Sequence, residues 1–173
     1  MAELDFDVVE LPPADAPDVG ETAPDFTRPL VDAEFWEDRS LSDLTDEGPV
    51  LLVFTTMDGA FPATYTWNEL RDRAFEADHD VQVVGCSISD PYSHKRLLAE
   101  RGIDYRLFSD PDAGVAEAFG IAHELDGMAG VTEPRPATFL LDEDRTVRYS
   151  WVAAEWPDFP DYDELAEAVA EHC

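Results

Sequence analysis

The residues of this chain that could carry chemistry are few and far apart. There are two cysteines, Cys86 and Cys173, and they form no C-x-x-C pair, so thioredoxin-type disulfide exchange has no motif to rest on. Cys86 closes the apolar run Val81-Gln82-Val83-Val84-Gly85-Cys86, where burial raises a thiol's pKa and makes it inert. Cys173 is the last residue and reads as an exposed tail thiol; an intermolecular disulfide and a resolving role are the alternatives. His79, His94, His123 and His172 stand apart, without metal-site spacing, and are expected on the solvated surface. Asp110-Pro111-Asp112-Ala113-Gly114 resembles part of a calcium loop but lacks the third ligand position and the distal glutamate, so it reads as a turn. No phosphate-cradling glycine loop, dinucleotide fingerprint or Gly-x-Ser-x-Gly elbow occurs. Neither a metal nor a cofactor is expected.

These groups sit in a very acidic chain. Of 173 residues, 40 are Asp or Glu and 11 are Lys or Arg, a formal charge of −29; the single lysine is Lys95. The acids are spread along the chain rather than gathered in a tail, the pattern of a protein adapted to high salt, where screening within ~3 Å at molar ionic strength removes self-repulsion. No basic stripe is present to displace counterions from nucleic acid. The longest apolar run, Pro49 to Phe54, is six residues against roughly 20 for a bilayer span, and the opening MAELDFDVVE is acidic, unlike a secretion signal. A soluble, cytoplasmic protein that binds neither nucleic acid nor membrane is expected.

The elements that must position any site alternate between strand and helix. Residues 1–19 include Leu11-Pro12-Pro13 and Pro17, too proline-rich and acidic for a regular element, and are expected to form an arm or loose lead-in to a single domain over 20–173. Phe26 to Val31 and Phe35-Trp36 could pair as strands, and Ser42 is a candidate helix cap. Pro49 to Thr55 is continuously apolar, as in a central strand covered on both faces. A helix is expected over Thr64 to Ala77, a strand over Val81 to Ser89, a helix over Pro91 to Arg101, a strand over Asp104 to Phe108 and a short helix over Val115 to Phe119. A glycine-rich loop from Leu125 to Pro136 leads to strands Ala137 to Leu141 and Thr146 to Val152, then a helix from Tyr162 to Glu171. The class is α/β. Trp156-Pro157-Asp158-Phe159-Pro160 is dense in aromatics and proline, either loop packing or a partner contact.

Several stretches occur in the order and spacing of a known family: Gly20-Glu21-Thr22-Ala23-Pro24-Asp25-Phe26, Leu41-Ser42-Asp43-Leu44, Val50 to Phe54, Ser87-Ile88-Ser89-Asp90-Pro91-Tyr92-Ser93-His94-Lys95, Leu107-Phe108-Ser109-Asp110 and Arg135-Pro136-Ala137-Thr138-Phe139-Leu140-Leu141-Asp142. Over residues 20–172 the chain resembles peroxiredoxins of the alkyl hydroperoxide reductase and thiol-specific antioxidant group. The resemblance implies a thioredoxin-like fold, a central mixed β-sheet flanked by helices on both faces. It also implies an active site in the first turn of the helix that follows the Pro49 to Thr55 strand.

The resemblance further implies an antioxidant oxidoreductase in which a peroxidatic thiolate, ionised by a helix N-terminus and a nearby arginine, attacks peroxide and becomes a sulfenic acid. Thr55 to Leu70 contains no cysteine. Aligning Asn68-Glu69-Leu70 puts Thr66 in the nucleophile's place; aligning Pro62 puts Thr64 there. A threonine hydroxyl has no sulfenate state, so the family chemistry is degenerate at this position, with Cys86 as the remote alternative thiol. Arg135 resembles the site arginine, although Pro136 intervenes before Ala137, and Pro134 or Pro136 is either a cis-proline facing the site or a loop proline. A second reading is a non-catalytic binding protein whose remodelled pocket, at Thr64, Thr66 and Arg135, takes a small anion or peptide. The family resemblance makes a homodimer plausible.

Overall fold

The computed structural model describes residues 8–124 and 128–173. In chain order the elements are β1 Val9–Glu10, β2 Thr27–Val31, β3 Trp36–Ser40, α1 Leu41–Glu47, β4 Val50–Phe54, α2 Phe61–Arg73, α3 Phe75–Asp78, β5 Gln82–Ser87, α4 Pro91–Arg101, β6 Arg106–Ser109, α5 Gly114–Ala118, β7 Ala122–His123, β8 Glu133–Pro134, β9 Ala137–Leu141, β10 Val147–Val152, β11 Glu155–Trp156 and α6 Tyr162–His172. Seven strands form one mixed sheet in the order β10-β9-β4-β5-β6-β2-β3. β4, β5 and β6 run parallel at its centre; β9 and β10 add antiparallel on one side, and the β2–β3 hairpin on the other.

The side-chain period of two divides the core. From β4, Val50, Leu52 and Phe54 enter one cluster with α1 and α5, while Leu51 and Val53 enter a second with α2, α3, α4 and α6. Continuously apolar β4 is buried along its whole length, as expected of a central strand with both faces covered. β5 follows the same alternation: Val84 and Cys86 face the first cluster and Val83 the second. Gly85 has no side chain because the α2 indole occupies that space; a Cβ there would lie 2.5 Å from the Trp67 ring and from Leu107.

Several expected boundaries move. The helix expected over Thr64 to Ala77 starts at Phe61 and breaks at Ala74, which adopts φ 47°. The cap of α1 is Ser40 rather than Ser42: its hydroxyl accepts from the Asp43 amide, and the Asp43 carboxylate accepts from the Ser40 amide. The expected loose lead-in is held along residues 8–18. β1 pairs with β11, the Leu11 amide donates to Ala154 O at 2.9 Å and the Asp15 amide to Gly120 O at 3.3 Å. Gly120, at φ +68°, leaves room for the Asp15 carbonyl where a Cβ would collide with it. Part of the expected glycine-rich loop, 125–127, lies outside the described residues.

Candidate active site

The carboxyl ends of parallel β4, β5 and β6 deliver three loops to one edge, the place where open α/β sheets gather ligands. The loops are stitched together. The Thr55 amide donates to Cys86 O at 3.1 Å, and the Asp110 amide to Ser87 O at 2.8 Å. Ser89 accepts from the Asp58 amide through Oγ at 2.8 Å, while its carbonyl accepts from the Ser109 hydroxyl at 2.6 Å. From the other side of the sheet sequence, the Glu133 carboxylate accepts from the Met57 amide at 3.1 Å. The β4–α2 loop is therefore rigidly seated, and it aims the start of α2.

The first turn of α2 is Phe61, Pro62, Ala63 and Thr64, with Pro62 in a position that asks for no amide donor. Its N-cap is Ala60, which supplies no side-chain hydrogen bond to the positive end of the helix; the Thr64 amide donates to Ala60 O at 3.0 Å. Thr64 stands at the close of this turn and lines a cavity of about 250 Å³ with Asp58, Gly59, Ser93, Arg96, Glu100 and Arg101. Thr66 is two residues further along α2, buried, and accepts from the Tyr162 hydroxyl at 3.3 Å. Burial pushes that phenol up to about 12. Of the two threonines, Thr64 occupies the first turn and Thr66 the helix–helix interface with α6.

Behind the cavity is a buried imidazole–carboxylate pair. His94, 1% exposed, sits on the inner face of α4 with Leu97 and Leu98. Its Nδ1 lies 2.7 Å from Asp58 Oδ2 and its Nε2 3.0 Å from the Phe108 carbonyl. The carbonyl only accepts, so Nε2 is the ring's donor to it, and Nδ1 faces the carboxylate. Asp58 Oδ1 is buried with no partner, as is Thr56 Oγ1, which leaves unspent hydrogen-bonding capacity beneath the cavity.

His94 corrects the expectation of solvated histidines; its i, i+3, i+4 spacing with Leu97 and Leu98 was the available signal that it faces the core. Asp58, Arg96 and Arg101 carried no signal, because their meeting with Thr64 depends on how α4 packs beside α2. Asp110, in the calcium-like stretch, is buried against Arg28 at 3.0 Å and accepts from the Val115 and Ala116 amides at the start of α5. Among the described residues no three His, Cys, Asp or Glu side chains group to hold a metal ion, and no helix is long and apolar enough to cross a membrane.

Arg135 is not at this cavity. It is 4% exposed, and its Nη1 donates to Pro12 O at 2.8 Å and Ala153 O at 3.3 Å. It lines a different cavity, under the N-terminal arm. Arm residues Ala14 and Ala16 pack on the first core cluster, whereas α2 packs on the second through Trp67 and Leu70. The expected pocket of Thr64, Thr66 and Arg135 is thus divided between opposite faces of the sheet, and the cations beside Thr64 are Arg96 and Arg101. Neither Pro134 nor Pro136 is cis; the cis peptide among the described residues is Trp156–Pro157.

Neither thiol lines the cavity beside Thr64. Cys86, 2% exposed, faces the first cluster, and burial followed by the nearby Asp110 charge pushes its thiol well above the ordinary value. Cys173 is not the exposed tail thiol expected from the sequence. It is half-buried against the second cluster, and burial and then Asp80 push it up as well.

The AhpC/TSA family profile matches residues 19–150. A thiol peroxidase of Staphylococcus saprophyticus is 30% identical over 152 residues, spanning 86% of this chain and 85% of its own. A peroxiredoxin homologue of Mycobacterium tuberculosis is 35% identical over 137 residues, spanning 74% and 80%. The crystal structure of the peroxidoxin BcpB from Mycobacterium tuberculosis superposes with a TM-score of 0.72 at 29% identity, over 88% of this chain and 94% of that one. The mixed seven-stranded sheet between two helical layers is the thioredoxin-like fold these proteins share, and the chain belongs to the AhpC/TSA family, that of the peroxiredoxins.

Proposed function

We propose that this chain is a peroxiredoxin-family redoxin whose α2 site no longer performs cysteine-based peroxide reduction, the thiol-dependent antioxidant activity to which the family points. One observation carries the reading: the first turn of α2 reads Phe61-Pro62-Ala63-Thr64, with no sulfur at the uncapped helix end where a thiolate would be stabilised. Cys86 cannot substitute, since its side chain lies across the sheet from α2. The test is hydrogen peroxide consumption with excess dithiothreitol in molar potassium chloride, with mass spectrometry of Cys86 and Cys173. No turnover above the buffer rate and no site-selective oxidation are expected. Turnover with a sulfenate trapped at Cys86 would overturn the proposal.

A second reading, a binding function for the retained cavity, is favoured by Arg96 and Arg101. In a chain with 40 acids their guanidinium groups make no ion pair among the described residues, and both line the cavity with Thr64, Ser93 and Asp58. Two cations, a hydroxyl and the unpartnered Asp58 Oδ1 suit a small anion that also carries a hydrogen-bond donor, or a peptide bearing such a group. Hydrogenphosphate is the probe. Calorimetric binding that Arg96→Ala and Arg101→Ala each weaken is expected; phosphate binding indifferent to both changes would remove this reading.

A further inference from the structure

The second cavity, of about 380 Å³, lies between the arm Leu11 to Asp18 and the β10 edge, with Arg135, Ser150 and Val152 in its wall. Arg135 is an odd residue to find there. Burying a guanidinium is costly unless it is paired, yet no carboxylate pairs with Arg135 among the described residues, and burial alone accounts for the fall in its pKa. An arginine nonetheless keeps its proton. Nη1 is satisfied by the Pro12 and Ala153 carbonyls, but Nε is buried without any partner. The side of the guanidinium that would grip a carboxylate through two parallel hydrogen bonds, Nε with Nη2, is therefore left unused.

Most of the remaining lining is apolar: Leu11, Pro12, Pro13 and Val152. Asp18 is the one acidic lining residue, and it is exposed. A bare inorganic anion would leave the apolar walls unfilled, and a hydrocarbon would leave the charge unanswered. We propose that this cavity binds a short aliphatic carboxylate, its head group on Arg135 and its chain beneath the proline-rich arm. The arm, tied down by the β1–β11 pair, the Leu11–Ala154 hydrogen bond and Arg135 itself, is the cover of the site. This site is across the sheet from Thr64 and is independent of the function proposed for that cavity.

The probe is butyrate, titrated into the full chain in molar potassium chloride while the Arg135 Nε–H resonance is followed by NMR. Saturable binding that shifts this resonance is expected. Arg135→Met should weaken binding at least ~10-fold through loss of the charge-assisted pair. Because Arg135 also anchors the arm, Ser150→Phe serves as the second variant. It fills the cavity while leaving the Arg135 carbonyl contacts intact, and should weaken binding at least ~10-fold by exclusion. Methyl butyrate, with the same body and no charge, should not compete. No saturable shift up to about 100 mM, a concentration corresponding to negligible affinity, would overturn the proposal. So would binding that survives both substitutions, or methyl butyrate binding as well as the acid.

Discussion

Cys86 shows at the scale of one residue how environment decides reactivity. Its sulfur lies among Val84, Phe108 and Phe54 in the first core cluster, where a thiolate has neither water nor a donor to stabilise it. Iodoacetamide at pH 8 should alkylate Cys86 in the native protein at least ~10-fold more slowly than in the unfolded chain, because only the thiolate reacts; peptide mass spectrometry over time reads the rate. Native-state alkylation at the unfolded rate would contradict the buried placement. His94 makes the opposite case, a polar group buried because every ring nitrogen is met. His94→Ala should lower stability by about 3 kcal/mol, the range for stranding one partner of a buried pair. If the loss comes from the stranded carboxylate, Asp58→Asn in the same chain should recover part of it, and a double-mutant cycle of thermal melts measures that coupling.

Helix ends are the informative feature among the elements. α4 begins at Asp90, whose carboxylate accepts from the Ser93 amide at 2.9 Å and from the Ser93 hydroxyl at 3.1 Å. The Ser93 amide bond is the main reason its pKa falls below the ordinary value. A carboxylate depressed on folding stabilises the protein above its unfolded pKa, and that contribution disappears as pH falls through the folded value. Asp90→Ala should therefore cost ~1 kcal/mol at neutral pH. The gap between variant and parent should close on acidification below about pH 4, as followed by thermal melts in molar salt. α2 differs in having Ala60 at its cap. Thr64 in its first turn lines one cavity with Arg96 and Arg101.

For the whole molecule the governing quantity is the charge of −29. Five of the arginines, Arg28, Arg39, Arg71, Arg73 and Arg148, are spent on surface or half-buried ion pairs, each of which contributes little where solvent screens it. The large acidic excess repels itself in dilute buffer, over a Debye length of ~10 Å at 0.1 M salt. The melting temperature should rise steeply from about 0.1 M to 1 M potassium chloride, where that length falls to ~3 Å. A flat or falling profile would remove the high-salt reading of the composition.

The α/β alternation, the buried central strand Val50 to Phe54, helix Pro91 to Arg101, strand Ala137 to Leu141 and the missing thiol between Thr55 and Leu70 were all legible in the sequence. Each depends on local pattern, on burial of continuous apolar runs or on residue identity. What touches what was not legible. Arg135 and Thr64 shared one expected pocket, but the sheet separates them, because side chains alternate sides along a strand and Arg135 keeps to the side of Ala137 and the arm. His94, Asp58 and the Phe108 carbonyl come from a helix, a loop and a strand distant in sequence, and only the parallel register of β4, β5 and β6 brings their ends to one place. Local sequence determined which elements form and that no cysteine stands between Thr55 and Leu70. The tertiary structure decided which polar groups meet, since hydrogen bonds and charge pairs act over a few ångströms that only packing can close.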